Sequence, residues 1–279
     1  MSATFGLTPE LVAHAQAFAA EQRVAVEAKD AATTVLLRDA SAGPEVYLLR
    51  RHAQMAFAAG MYAFPGGRVD PRDADELPQW SGPAPVEWAE RLSCTPSTAR
   101  ALVCAAVRET FEESGVLLAG PDDDTVVADT TAAYWEADRH ALVKRSLALA
   151  ELLNHRSLVL RSDLLQPWAR WITPAFEPRR YDTRFFVAAL PAGQQARDVS
   201  GEADRVAWMR PTEAVAGADS GELAMLPPTY VVLSELCAFA GTEEVLAAAA
   251  TRTVTVVEPE VRLQDGRAVL VLPAAGGAE

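Results

Sequence analysis

Val103, Val107 and Phe111, with the aliphatic part of Thr110, repeat at helical spacing and mark a core-facing stripe on the segment 96–114. Its ends carry their own signals. Thr95 or Ser97 can cap the start, Pro96 suits the first turn, and Gly115 supplies a left-handed stop. Upstream, the pattern predicts a helix opening at Thr8-Pro9-Glu10 and running to 27, then strands at 33–38 and 45–50 around a turn at 39–44. Phe64-Pro65-Gly66-Gly67 reads as a tight loop, and the Pro-, Asp- and Trp-containing stretch 70–95 reads as a loop insertion. Downstream, 131–155 reads as helical, 168–173 and 181–190 as paired strands, and 206–209 as a further strand. Helices are expected at 229–239 and 243–250, and a terminal hairpin at 253–263 and 267–272, joined at Asp265-Gly266. Strands and helices interleaved in this way predict an α/β sandwich with helical additions.

The polar side of segment 96–114 carries the most specific chemistry. Glu109, Glu112 and Glu113 stand at i, i+3 and i+4, about one turn apart on a helix, with Arg108 beside them. Carboxylates stacked in this way repel one another, and no lysine follows within reach to relieve them. A hard divalent cation such as Mg²⁺ or Mn²⁺ seeks several carboxylate oxygens at once and turns that repulsion into attraction. A solvated acidic helix end is the plainer alternative; the apolar stripe on the opposite side and the glycine stop favour a built site.

Composition narrows the partners. With 279 residues, half of them hydrophobic, the chain can bury a substantial core. A net charge of −13 disfavours nucleic acid and anionic membranes as partners, though local arginines and a bound metal can still draw in an anionic small molecule. Cys94, Cys104 and Cys237 are too few and too scattered for a disulfide framework or a zinc site, which suits a reducing compartment. No run is long enough to span a bilayer, and the cytoplasm is the expected location.

Together these residues resemble the nudix hydrolases, whose box reads G-x5-E-x7-R-E-U-x-E-E-x-G-U, with U aliphatic. Gly67 matches the first glycine, and Arg108, Glu109, Glu112, Glu113, Gly115 and Val116 match the second half. The resemblance implies an α/β/α sandwich with a mixed sheet, a helical insertion at 121–165 and a C-terminal hairpin at 253–272, all in a single nudix-type domain over 1–279. It also implies that Glu109, Glu112 and Glu113 ligate Mg²⁺ or Mn²⁺ while Arg108 orients them. The box is interrupted: an insertion at 71–95 separates Gly67 from Arg108, the first glutamate is replaced at best by Asp73, and Thr110 holds an aliphatic position. The insertion is expected to bulge out and leave the helix in place.

The broken box, with Leu48-Leu49-Arg50-Arg51, Gly60 and Phe64-Pro65-Gly66-Gly67, is similar to the coenzyme A diphosphatase branch of the family. That likeness spans most of 33–239 and extends to Trp171-Ile172-Thr173-Pro174, Tyr181 to Phe186 and Leu226-Pro227-Pro228-Thr229, although Ala56 stands where that branch's signature has a second arginine. It implies cleavage of a nucleoside diphosphate linked to another moiety, with coenzyme A or an acyl derivative leading. ADP-ribose, NADH and FAD remain open as substrates, as does a non-catalytic nucleotide-binding module. Glu202 is the candidate general base or further ligand; Arg51, Gly66, Gly67, Arg184 and Tyr230 are the candidate substrate contacts. The N-terminal helix and the terminal hairpin are the expected places for a homodimer contact.

Overall fold

The hairpin at the centre of the chain is longer than its apolar runs suggest, and it splays. Lys29–Ala40 and Gly43–Arg51 pair antiparallel from Leu37↔Val46 to Ala40↔Gly43, and beyond that point each takes a different partner. Gly66–Arg68 pairs with Ala31, Ala32 and Thr33 of the first strand, while Tyr62–Ala63 pairs with Leu49 and Arg50 of the second. The tight loop at 64–65 thus sits in the fork of an opened hairpin, held there by Thr34 N–H donating to the Pro65 carbonyl at 2.8 Å. The computed structural model that shows this describes residues 4–54, 58–75, 78–199, 201, 203–264 and 267–272.

Around the fork the sheet is mixed, as expected. Tyr181–Ala189 runs parallel to Lys29–Ala40, Gln166–Ile172 lies antiparallel beyond it, and Val256–Val257 adds a short parallel edge. Ala203–Met209 closes the other edge, antiparallel to Gly43–Arg51. Successive side chains point to opposite faces. Leu36, Tyr47 and Phe186 enter a core under the helices Pro85–Leu92, Pro96–Ser114, Ala133–Val143 and Leu149–His155. Val35, Leu37, Leu48 and Val187 enter a second core under Pro227–Leu236 and Thr242–Thr251. The result is the predicted α/β/α sandwich.

Several elements differ from expectation. The first helix is Pro9–Ala20 and stops well short of 27, because Gln22 turns into the left-handed region at φ 48°. The helix expected over 131–155 breaks in two around Arg145, whose φ is 56°. In place of the long first strand of the terminal hairpin, Val256–Val257 joins the main sheet and only Glu260–Gln264 pairs with Arg267–Val271; the turn at 265–266 lies outside the described residues. Thr4–Gly6 adds a third strand to that hairpin.

The largest difference lies at 71–95. This stretch does not bulge out as a loop: it folds into Arg72–Asp75, Gln79–Ser81 and Pro85–Leu92. Pro85 fills the first turn of the last of these helices, and Trp88, Ala89 and Leu92 form a buried stripe hidden in a composition that resembles a loop. Trp88 is 0% exposed and meets Phe186 edge to face at 5.8 Å. Gln79–Ser81 also pairs with Val159–Arg161, which pairs in turn with Ala119–Gly120, so a small second sheet joins this segment to the 121–165 region. Among the described residues no helix is long and apolar enough to cross a membrane.

Removing the segment would therefore open the core. Trp88→Ala should cost about 3–5 kcal/mol of stability, whereas Val86→Ala, at a residue 56% exposed on the same helix, should stay within about 0.5 kcal/mol. Urea unfolding of both variants checks this, and equal, small losses would show that the segment is peripheral.

Candidate active site

Helix Pro96–Ser114 is set rigidly before it presents any chemistry. Thr95 accepts from Thr98 N–H at its start, Pro96 follows, and Gly115 ends it at φ 74°. Inside, Thr110 donates to Ala106 O at 2.7 Å, which disposes of the one polar group that interrupts the apolar stripe. Thr34 Oγ1, on the central strand, donates to the same carbonyl at 3.4 Å and couples the helix to the sheet.

On the polar face, Arg108 spends all five of its N–H donors. Nε and Nη2 form a fork onto Asp73 Oδ1 and Oδ2 at 3.0 and 2.9 Å. Nη1 donates to Glu109 Oε1 at 2.7 Å and to Glu112 Oε1 at 3.2 Å, and Nη2 also reaches Arg68 O at 3.0 Å. Asp73, the residue that replaces the box's first glutamate, is thus the bidentate partner of the arginine, carried there by the short helix Arg72–Asp75. Arg72 in turn forks onto Asp70, and that hydrogen bond holds the Asp70 carboxyl down to about 2.

Glycine lets the acids reach the sheet. A Cβ on Gly67 would lie 2.4 Å from Glu109 Oε1, and one on Gly66 would lie 2.7 Å from Ala32 O and 2.8 Å from Thr33 Cα. Gly66 N–H donates to Glu113 Oε2 at 2.9 Å. Glu113 is therefore turned toward the fork, while Glu109 and Glu112 are turned toward Arg108. Among the described residues no three acidic, His or Cys groups are already gathered around one point.

Burial pushes the Glu109 carboxyl well above the usual range, against the pull of Arg108 and reinforced by the charge of Glu112. Burial raises Glu112 as well, again opposed by Arg108. Burial acts on Arg108 in the opposite sense, but Asp73, Glu109 and Glu112 together hold its guanidinium charged beyond its ordinary range. Crowding two desolvated carboxylates against one cation leaves excess negative charge, which a second cation would relieve.

These groups open onto a pocket of about 740 Å³. Arg51, Gly66, Gly67, Arg108, Glu109, Glu112 and Glu113 all line it. Arg184 and Tyr230 do not. The two-residue period of strand Tyr181–Ala189 sends Tyr181, Thr183 and Phe185 to the pocket and turns Arg184 to the opposite face, where it is 2% exposed and donates to Asp30 at 3.0 Å. Tyr230 lies one layer behind the wall, its hydroxyl donating to Asp219 at 2.9 Å. Glu202 lies outside the described residues. The expectations missed Arg68, Arg72 and Arg145, which also reach the pocket, and Phe5, Leu7, Leu11 and Leu270 on its far wall. Only the basic residues carried a local signal, since Arg68 follows Gly67 directly.

A family model described as the NUDT19 Nudix domain matches residues 83–236, more than half of the chain. The crystal structure of a nudix hydrolase from Alicyclobacillus acidocaldarius is 31% identical and superposes with a TM-score of 0.70, covering 82% of this chain and 99% of that one. Among curated proteins, the acyl-coenzyme A diphosphatase NUDT19 of Xenopus laevis is 26% identical over 234 residues, covering 72% of this chain and 61% of that protein. The human protein of the same name is 27% identical over 232 residues, covering 71% of this chain and 62% of that protein. This chain thus spans about three fifths of the length of those relatives.

The two glycines should respond differently to a single methyl. Gly67→Ala meets only the tip of a side chain, so it should keep its melting temperature within about 2 °C while displacing Glu109 and lowering turnover about a hundredfold. Gly66→Ala meets backbone and should lose roughly 2 kcal/mol, or about 4–8 °C. Thermal melts alongside a turnover assay check this; a stability loss at Gly67 without a loss of rate would reverse the assignment.

Proposed function

The chain belongs to the nudix hydrolase family, and on that premise we propose that it is a metal-dependent coenzyme A or acyl-coenzyme A diphosphatase. Water adds across the P–O–P anhydride, giving 3′,5′-ADP and 4′-phosphopantetheine or its acyl derivative. One observation carries the choice of substrate: a single pocket is lined both by the acidic helix and by an apolar cluster that includes Phe5, Leu11, Phe176 and Leu270. ADP-ribose, NADH and FAD carry polar groups beyond the diphosphate and would leave that wall bare. Nudix hydrolases generally use divalent cations, and the residues here fit one by donor chemistry. Their oxygens are hard, and burial has raised Glu109 and Glu112 in a way that added positive charge would reverse.

Glu109, Glu112 and Glu113 would hold Mg²⁺ or Mn²⁺, with Glu112, whose 3.2 Å bond to Arg108 is the longer of the two glutamate contacts, the readiest to turn away. The bound metal would neutralise diphosphate oxygens and lower the pKa of the attacking water. Arg108, fixed by Asp73, positions the helix carboxylates and keeps them from repelling one another. Arg51, Arg68 and Arg145 line the same pocket, and their positive charge draws an anionic diphosphate into an otherwise acidic molecule.

Mass spectrometry of coenzyme A incubated with the protein and Mg²⁺ or Mn²⁺ tests this. The two products are expected from the native protein, with a loss of about a thousandfold or more for Glu112→Gln at unchanged fold. Chelation with EDTA should abolish turnover, and either metal added back should restore it. Turnover of ADP-ribose, NADH or FAD in preference to coenzyme A would overturn the substrate, and full activity of Glu112→Gln would overturn the metal site.

A further inference from the structure

The pocket has two chemically different linings. One is charged, with Glu109 and Glu112 on the box helix and Arg68 and Arg145; the other is an apolar wall of Phe5, Leu7, Leu11, Phe176 and Leu270. Those five residues are not part of either core on the sheet faces. They form a third, small cluster with Ala15, Phe18 and Val261. Four of them also lie outside the matched stretch 83–236.

The wall is braced from behind. Thr4–Gly6 pairs antiparallel with Arg267–Val271, which sets Phe5 opposite Leu270. The Phe5 ring meets Tyr230 edge to face at 5.8 Å, and Tyr230 is itself anchored on Asp219. Phe176 meets His14 in the same edge-on manner at 6.2 Å. Apolar side chains held open around a cavity lose the contacts they would gain by closing it, so a braced open wall signals a ligand that supplies them. The acid beside this wall is Glu177, next to Phe176 in the chain, which repels phosphate and so favours placing the anionic part of a ligand on the arginines.

We propose that this wall is a sleeve for the acyl chain of a thioester substrate, and that Leu7, Leu11 and Leu270 set the chain length it accepts. The inference rests on the diphosphatase reading of the same pocket and gives its substrate a direction: phosphates at Arg68 and Arg145, the chain toward Leu270.

The test is kcat/KM for coenzyme A and its butanoyl, octanoyl and palmitoyl esters. In the native protein the value should rise by up to about fourfold for each methylene buried, then level off once the sleeve is full. Leu11→Trp fills the sleeve and should move the levelling to shorter chains; Leu7→Trp, at a half-buried loop position, gives the same reading if the helix variant fails to fold. A flat profile in the native protein, or a parallel loss at every chain length in both variants, would overturn the sleeve. Binding of cis-parinaric acid, which carries a chain but no phosphate, separates the two levels of failure. No turnover of any coenzyme A compound, with the probe bound by the native protein and lost in Leu11→Trp, would overturn the reaction and support the sleeve; no turnover and no probe binding would overturn both.

Discussion

The guanidinium of Arg108 is the joint on which the site depends. A buried arginine is tolerated only when its charge and its donors are matched, and here every donor has an acceptor. The acceptors come from two pieces of chain distant in sequence: the Arg68 carbonyl and Asp73, in the fork and just after it, and the glutamates of the box helix. Loss of the fork onto Asp73 would leave a buried charge on each side, so helix, fork and inserted segment stand or fall together. This explains why an interrupted box still works as a unit. The inserted residues lengthen the path between Gly67 and Arg108 but return Asp73 to the place from which it grips the arginine.

The opened hairpin does the complementary job. Had Lys29–Ala40 and Gly43–Arg51 paired along their full length, no gap would exist for Gly66–Arg68 to enter beside the box helix. The absence of a side chain at Gly67 then allows the Glu109 carboxylate to lie against the strand, a contact that a Cβ would block, while Gly66 lets that strand sit close on Ala32 and Thr33. Geometry at the backbone level thus fixes where the acids can be, and their own electrostatics follow: little water, two raised carboxyls, one saturated cation.

Legibility in the sequence followed the range of the interactions. Periodicity found helix Pro96–Ser114, and its caps are those of the structure, because both are set within a few residues. The five longer strands of the main sheet were legible for the same reason, whereas Tyr62–Ala63, Gly66–Arg68 and Val256–Val257 were not. Arg184 was misplaced because its face depends on the register of a strand with its neighbours, and a shift of one residue exchanges the two faces. The segment 71–95 was misread because Trp88, Ala89 and Leu92 are few beside its prolines and aspartates, and only contact with Phe186 across the core shows what this stripe does. The apolar wall gave no local sign at all: Phe5 and Leu270 are ordinary hydrophobic residues until a strand pairing brings them face to face.

That last pairing also dictates an order of assembly. Thr4–Gly6 leaves the ribosome among the first residues described and finds its partner strand only when Arg267–Val271 has emerged. Closing so long a span of chain is entropically the most demanding step and contributes nothing until the intervening sandwich holds the two segments near each other. The acidic helix and its fork can therefore form on the nascent chain while the far side of the pocket is still open to solvent, with Phe5 and Leu11 exposed.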